Sequence, residues 1–319
     1  MARNTENTAT PEWVLRREYG SQRLLRWMAR LSLFIGRGPS RILLYPIAGY
    51  FLLFSRATRT ASRDYLARVL EHSPSWGMIY HHILSFSSVI HDRLYLVNQR
   101  YDLFDIEVHG AQYLPDSSEP ETAVFLFGAH LGSFEALRCL GQQRAGFALA
   151  MAMYQDNAQK INALLSALNP GMEPDIVALG GIDSMLRLSD RLEQGVSIGM
   201  LADRSLDQDN LMSQRFLGTP ATFPSGPFRL AALLRRRVVF MAGLYLGANR
   251  YAIHFEPLAD FSACAPGQRE VAIHQAVGRY VMLLEQYCRL APYNWFNFFD
   301  FWQASDVRAF NGQAQAPRD

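Results

Sequence analysis

Residues 124–138 read VFLFGAHLGSFEALR, and this stretch decides the fold. The apolar residues 124–127 have the length and composition of a buried strand. Gly128 punctuates the strand end, and Phe134, Leu137 and Leu140 then recur on one side of a helical pattern. His130 and Glu135 therefore fall where a strand feeds a helix N-terminus. Open α/β sheets bind ligands at the carboxyl ends of their strands, so chemistry is expected here.

A neutral imidazole is a competent general base near neutral pH. A carboxylate beside it fixes the tautomer and stabilises the imidazolium that forms. His130 and Glu135 are five residues apart, a poor spacing on a regular helix. A bend between loop and first turn brings such a pair together. Spacing alone leaves two readings open: a catalytic pair, or a strand-end histidine that packs beside a solvated helix charge.

Outward from this stretch, strands and helices alternate. Residues 102–109 alternate as a strand ended by Gly110, and 115–121 form a loop. Strands are expected at 147–153, 176–179 and 196–201, with helices at 155–168 and 184–192. Residues 238–245 and 250–255 form a strand pair around Gly247-Ala248-Asn249, and 269–290 a helix. The class is α/β: a mixed, largely parallel central sheet flanked by helices.

The first hundred residues differ in character. Residues 1–68 hold 12 Arg against 4 acids, whereas the whole chain carries a net charge of only +2. After a polar tail at 1–12, residues 13–35 form a basic amphipathic helix with Leu24, Leu25, Met28, Leu31 and Phe34 on one side. Gly36, Gly38 and Pro39 break it. The next thirteen residues, 42–54, are uncharged, short of the roughly 20 that span a bilayer. They read as an interfacial helix on an anionic membrane surface, with a buried core helix as the alternative. Residues 57–100 continue as helix, and His72, His81, His82 and His91 within it read as structural. The expected organisation is a membrane-association segment at 1–100, an α/β domain at 101–305 and a flexible tail at 306–319. Nucleic acid is not expected as a partner, because the Arg residues crowd around the apolar N-terminal run. Cys139, Cys264 and Cys288 have no paired spacing for zinc or disulfides, and no secretory signal opens the chain.

GAHLGSFE resembles the His-x4-acid block of glycerolipid-type acyltransferases, and more narrowly of the lipid A biosynthesis acyltransferases. There the block reads Asn-His-x-Gly-x-Trp-Glu; here Ala129 and Phe134 replace the Asn and Trp. Residues 196–204, VSIGMLADR, resemble the family's Asp-Gln-Asp block, with Asp203 on its first Asp and Arg204 departing from the Gln. A headgroup-binding pair and a loop-capping salt bridge both fit Asp203 and Arg204; Asp207 and Asp209 are displaced from the pattern. Residues 216–228, FLGTPATFPSGPF, resemble the family's Phe-Phe-Gly block through Phe216, Gly218, Ala221, Gly226 and Pro227. Pro292 and Trp295 match a late Pro-x-Gln-Trp, with Asn294 for the Gln, inside the aromatic run 291–302, APYNWFNFFDFW. That run reads as an acyl-chain or membrane surface, or as core. The family's Tyr-Arg-Pro segment is missing after Tyr154, and Lys160, the chain's only lysine, is its candidate substitute.

The resemblance covers roughly residues 25–302 and implies a membrane-bound acyltransferase on the cytoplasmic face of a bacterial inner membrane. It implies His130 as general base and Glu135 as its orienting partner. Gly128, Gly132, Lys160, Asp203, Arg204, Phe216 and Gly218 are the implied substrate-binding residues. Backbone donors of the 128–132 turn would hold the oxyanion. Acyl-carrier protein is the implied donor, with acyl-CoA second, and transfer is direct, without acyl-enzyme, cofactor or metal. The acceptor is a lipid, glycolipid or polyene-type hydroxyl or amine. A lipid hydrolase using Ser133 and a non-catalytic lipid-binding relative are the rivals.

Overall fold

A computed structural model describes residues 22–115, 122–137, 147–154, 176–179, 182–204 and 210–302. Nine strands are found among these: β1 (Asp105–His109), β2 (Phe125–Gly128), β3 (Leu149–Tyr154), β4 (Ile176–Leu179), β5 (Ser197–Leu201), β6 (Leu211–Phe216), β7 (Thr219–Pro224), β8 (Arg237–Gly247) and β9 (Arg250–Asp260). Seven form one sheet in the order β1-β9-β8-β2-β5-β3-β4. The last five in that order run parallel, and β1 and β9 run the other way through the antiparallel β8–β9 pair. The sheet is mixed and largely parallel, as the strand–helix alternation implies.

β2 lies mid-sheet and is buried along its whole length. Its side chains alternate between faces. Phe125 and Phe127 join one hydrophobic cluster with Tyr65, Ile79 and Phe240, while Val124 and Leu126 join a second with Leu96 and Tyr251. The flanking helices are α1 (Gln22–Ile35), α2 (Leu44–Phe54), α3 (Arg56–Leu70), α4 (Trp76–Val97), α5 (Ile182–Glu193), α6 (Gly226–Leu233) and α7 (Arg269–Leu290). Tyr65 of α3 and Ile79 and Ile83 of α4 are buried in the core of the sheet. No helix among the described residues is long and apolar enough to cross a membrane.

Several boundaries differ from the sequence reading. Gly128 is the last residue of β2 rather than the residue after it. Residues 101–103 form a 3-10 turn, so β1 starts later than expected. Gly36, at φ 87°, is the break after α1, whereas Gly38 and Pro39 lie inside a helical turn at Arg37–Ser40. Residues 211–224, for which no strand was expected, form the β6–β7 hairpin. Leu217 and Gly218 sit at its tip with φ 47° and 80°, the left-handed pair that two-residue hairpin turns require. The expected loop at 115–121 and helix at 155–168 fall largely outside the described residues.

The N-terminal helices are docked by polar contacts. Arg37 forks onto the fully buried Asp92 of α4, with both N–H···O distances at 2.8 Å. Tyr251 donates to the same carboxylate at 2.9 Å. Ser32 and Ser40 meet His91 Nε2 at 2.9 and 2.7 Å. With its polar side turned inward, this region leaves Phe34, Ile42, Leu53 and Phe54 exposed. α2 is therefore not a buried core helix: only Leu44 and Ala48 of its length are buried.

Candidate active site

Gly128 of β2 and Leu201 of β5 are register partners in adjacent parallel strands. Each strand continues through one buried alanine, Ala129 or Ala202, to a polar residue. The register thus sets His130 beside Asp203 at the carboxyl end of the sheet. Asp203 Oδ1 lies 2.8 Å from His130 Nδ1, and Oδ2 accepts the His130 backbone N–H at 3.0 Å. Oδ2 also accepts from Trp295 Nε1 at 3.3 Å and Asn297 Nδ2 at 3.0 Å.

The electrostatics follow from this packing. Burial pushes the Asp203 carboxyl up, but His130 and Arg204 outweigh it and hold the group well below the usual carboxylate range. Asp203 is therefore an acceptor only, so Nδ1 carries the imidazole proton and Nε2 carries the lone pair. Burial lowers the His130 pKa below its ordinary 6.5, Arg204 adds to the shift, and Asp203 opposes it. The ring is neutral at pH 7, its side chain 32% exposed, and Nε2 makes no hydrogen bond among the described residues. A base with a fixed tautomer results.

Arg204 completes the group. Its Nε donates to Asn297 Oδ1 at 2.5 Å and its Nη2 to Phe296 O at 3.1 Å. The guanidinium lies over the Phe299 ring, 5.1 Å from its centroid. Burial lowers its pKa to about 10 against the pull of Asp203, which leaves it a cation. The aromatic run 291–302 is thereby core, wired to the site. Trp295 is fully buried against Tyr65, Phe216 and Phe301, and its carbonyl meets Nε2 of the buried His82 at 3.0 Å.

The carboxylate on the second ring nitrogen is Asp203, not Glu135 as the His-x4-acid spacing led us to expect. Glu135 is buried at the start of a 3-10 turn and pairs with Arg93 of α4 at 2.5 Å. Its place in the fold is a clamp between the His130 loop and α4. Three amides of this loop are already engaged. His130 N–H goes to Asp203, Gly132 N–H to Asn294 O at 2.8 Å and Ser133 N–H to Gly243 O at 2.7 Å. Ser133 Oγ is buried and accepts from Ala136 N–H, so its hydroxyl caps the turn.

The glycines have backbone reasons. Gly132 has φ +65°, and a Cβ there would lie 2.0 Å from Gly243 O. Gly128 packs on Met241, and its carbonyl accepts from Tyr280 Oη at 2.8 Å. Phe216 is fully buried behind Trp295 and so does not wall an open slot. Gly218 is exposed at the hairpin tip and is not brought to His130. Lys160, Asp207 and Asp209 lie outside the described residues. Among the described residues, no group of three His, Cys, Asp or Glu side chains is arranged to hold a metal ion. Sequence reasoning missed Asn297, Arg93 and Gly243; a second amide inside an aromatic run was the available signal for Asn297.

A family model for bacterial lipid A biosynthesis acyltransferases matches residues 93–304. That span runs from the Arg93 clamp through His130, Asp203, Arg204 and the aromatic run. No curated protein matches the chain significantly.

Proposed function

The chain belongs to the bacterial lipid A biosynthesis acyltransferase family, and from that membership we propose that it moves a fatty acyl group from an acyl thioester to a hydroxyl or amine of a lipid acceptor. The His130–Asp203 contact of 2.8 Å, with Nε2 left open, carries the reading. His130 Nε2 takes the acceptor proton as the acceptor oxygen or nitrogen attacks the thioester carbonyl. Asp203 stabilises the imidazolium, which then returns its proton to the departing thiolate. Transfer is direct, because Ser133, the neighbouring hydroxyl, is buried as a turn cap. Acyl-carrier protein is the proposed donor, acyl-CoA the second choice.

Attachment to the cytoplasmic face of the inner membrane belongs to the same proposal. The N-terminal helices bury serines and an Arg–Asp pair while exposing Phe34 at 89% and Phe54 at 73%. Exposed large apolar side chains on these neighbouring helices suit an interaction site. Arg59 and Arg63 stand over the exposed Trp76, and Arg59 also binds the carbonyls of Leu52 and Leu53. Cations and an aromatic beside apolar side chains suit an anionic lipid interface.

The decisive experiment is transfer of radiolabel from acyl-loaded acyl-carrier protein into total bacterial membrane lipids, wild type against His130→Ala. A labelled lipid that disappears in the variant is expected, and its structure names the acceptor. Transfer that survives the substitution removes His130 from the mechanism.

A further inference from the structure

The His130–Asp203 pair has a charge deficit during the reaction. When Nε2 accepts the proton, imidazolium and carboxylate neutralise each other, and the negative charge on the attacked carbonyl oxygen is left uncompensated. Acyl-transfer sites usually meet it with backbone N–H groups. Here the amides of His130, Gly132 and Ser133 already donate to Asp203, Asn294 and Gly243.

Arg204 is the cation at this place. It adjoins Asp203 in the chain, and Asn297 links the two side chains by donating to Asp203 and accepting from Arg204. Nε and Nη2 are held by Asn297 and Phe296, and Phe299 supports the flat face. A guanidinium gripped along one edge, with its Nη1 making no hydrogen bond among the described residues, is preorganised for an anion.

We propose that Arg204 is a catalytic residue, donating from Nη1 to the oxyanion of the tetrahedral intermediate. The inference rests on the acyl-transfer reading above. In the step, the acceptor lone pair forms the new bond to the thioester carbon, and the carbonyl π pair moves to oxygen against Arg204. The acceptor proton goes to His130 Nε2. Collapse restores the carbonyl, breaks the C–S bond, and sends its electron pair to sulfur with the proton from His130. Atoms and charge balance without another reactant.

The test is steady-state transfer from palmitoyl-loaded acyl-carrier protein to total bacterial membrane lipid in detergent micelles, for wild type, His130→Ala, Arg204→Met and Arg204→Lys. Arg204→Met is expected to lose about 100- to 1,000-fold in kcat, with KM for either substrate changed less than about threefold. The acid limb of its pH profile should move up, because the cation that lowers His130 is gone. Arg204→Lys should keep part of the rate, and it decides the matter if the Met variant does not fold. Wild-type kcat in Arg204→Met, or a loss confined to acceptor KM, overturns the assignment; the latter makes Arg204 a headgroup ligand. These outcomes leave His130-dependent transfer standing. Absence of any His130-dependent transfer in the wild type overturns the underlying function, and the oxyanion role with it.

Discussion

His130 and Asp203 stand at equivalent places, each two residues beyond a register-paired end of neighbouring parallel strands. The sheet, rather than a local helix turn, therefore aligns the base. Asp203→Asn preserves the shape but offers an amide that can donate to Nδ1, inverting the tautomer. The expected result is a loss of kcat of about 10⁴ in protein that still folds, with a lowered melt because the buried Arg204 loses its counter-charge. Comparable loss in Glu135→Gln, with Asp203→Asn active, would transfer the orienting role back to Glu135.

Glu135 and Arg93 make a different prediction, one about stability. The carboxylate is buried and the Arg93 side chain is 27% exposed, so the pair is partly screened. Removing either partner should cost about 1–3 kcal/mol in urea unfolding. A double-mutant cycle with Glu135→Gln and Arg93→Gln should show positive coupling. Strict additivity would mean that the two side chains do not hold the loop to α4.

The strand core and the His130 stretch were legible because buried parallel strands leave continuous apolar runs such as 124–127 and 198–201. The Asp203 contact was not, since pairing register joins residues 73 positions apart that no local period relates. A repeated pattern was nevertheless present: apolar strand, alanine, then His130 or Asp203. The β6–β7 hairpin was not legible as strands, because Pro220 and Pro224 and the Leu217-Gly218 tip imitate irregular backbone. Asn297 was hidden by its neighbours, whose aromatic rings suggested a surface for lipid rather than a scaffold for a carboxylate. His82 fared better: its structural reading agrees with a buried ring held by Ser62 and the Trp295 carbonyl.

That histidine sets an acid limit on stability. Burial lowers the His82 pKa to about 4 from the ordinary 6.5, against the opposing Trp295 hydrogen bond. As pH falls through 6.5 the unfolded chain takes up this proton first, so stability is full above 6.5 and declines until about 4. The total is about 3 kcal/mol. Urea unfolding across this window should show a shallower pH slope for His82→Gln than for wild type. Equal slopes would place the acid sensitivity elsewhere.

Gly132 should tolerate no side chain. Its φ is +65° and an added Cβ would meet Gly243 O at 2.0 Å, so either the loop or β8 must move. Gly132→Ala is expected to destabilise by at least ~2 kcal/mol and to displace His130 two residues away. Chemical-shift changes at the His130 ring, or loss of transfer in protein that still folds, would register the displacement. A variant as stable and active as wild type would show that the crossing of loop and β8 is looser than the geometry requires.

The exposed N-terminal surface offers a test independent of catalysis. Phe34 and Phe54 are 89% and 73% exposed, so replacing them by Asp removes little packing, for Phe54 its contact with the Tyr50 ring, and should leave the melt nearly unchanged. In contact with a bilayer each ring buries apolar area worth roughly 1.5–3 kcal/mol, so each substitution should weaken binding about tenfold or more. Arg56 and Arg63 of α3 are exposed, and a basic residue near an anionic surface adds about 1 kcal/mol that salt removes. Cosedimentation of the full chain with phosphatidylglycerol vesicles should therefore fall in Phe34→Asp and Phe54→Asp. It should also fall with added salt, and be weaker for vesicles of phosphatidylcholine alone. Binding that ignores both the rings and the salt would separate this surface from the membrane, leaving the inverted polarity of the N-terminal helices to be explained by another partner.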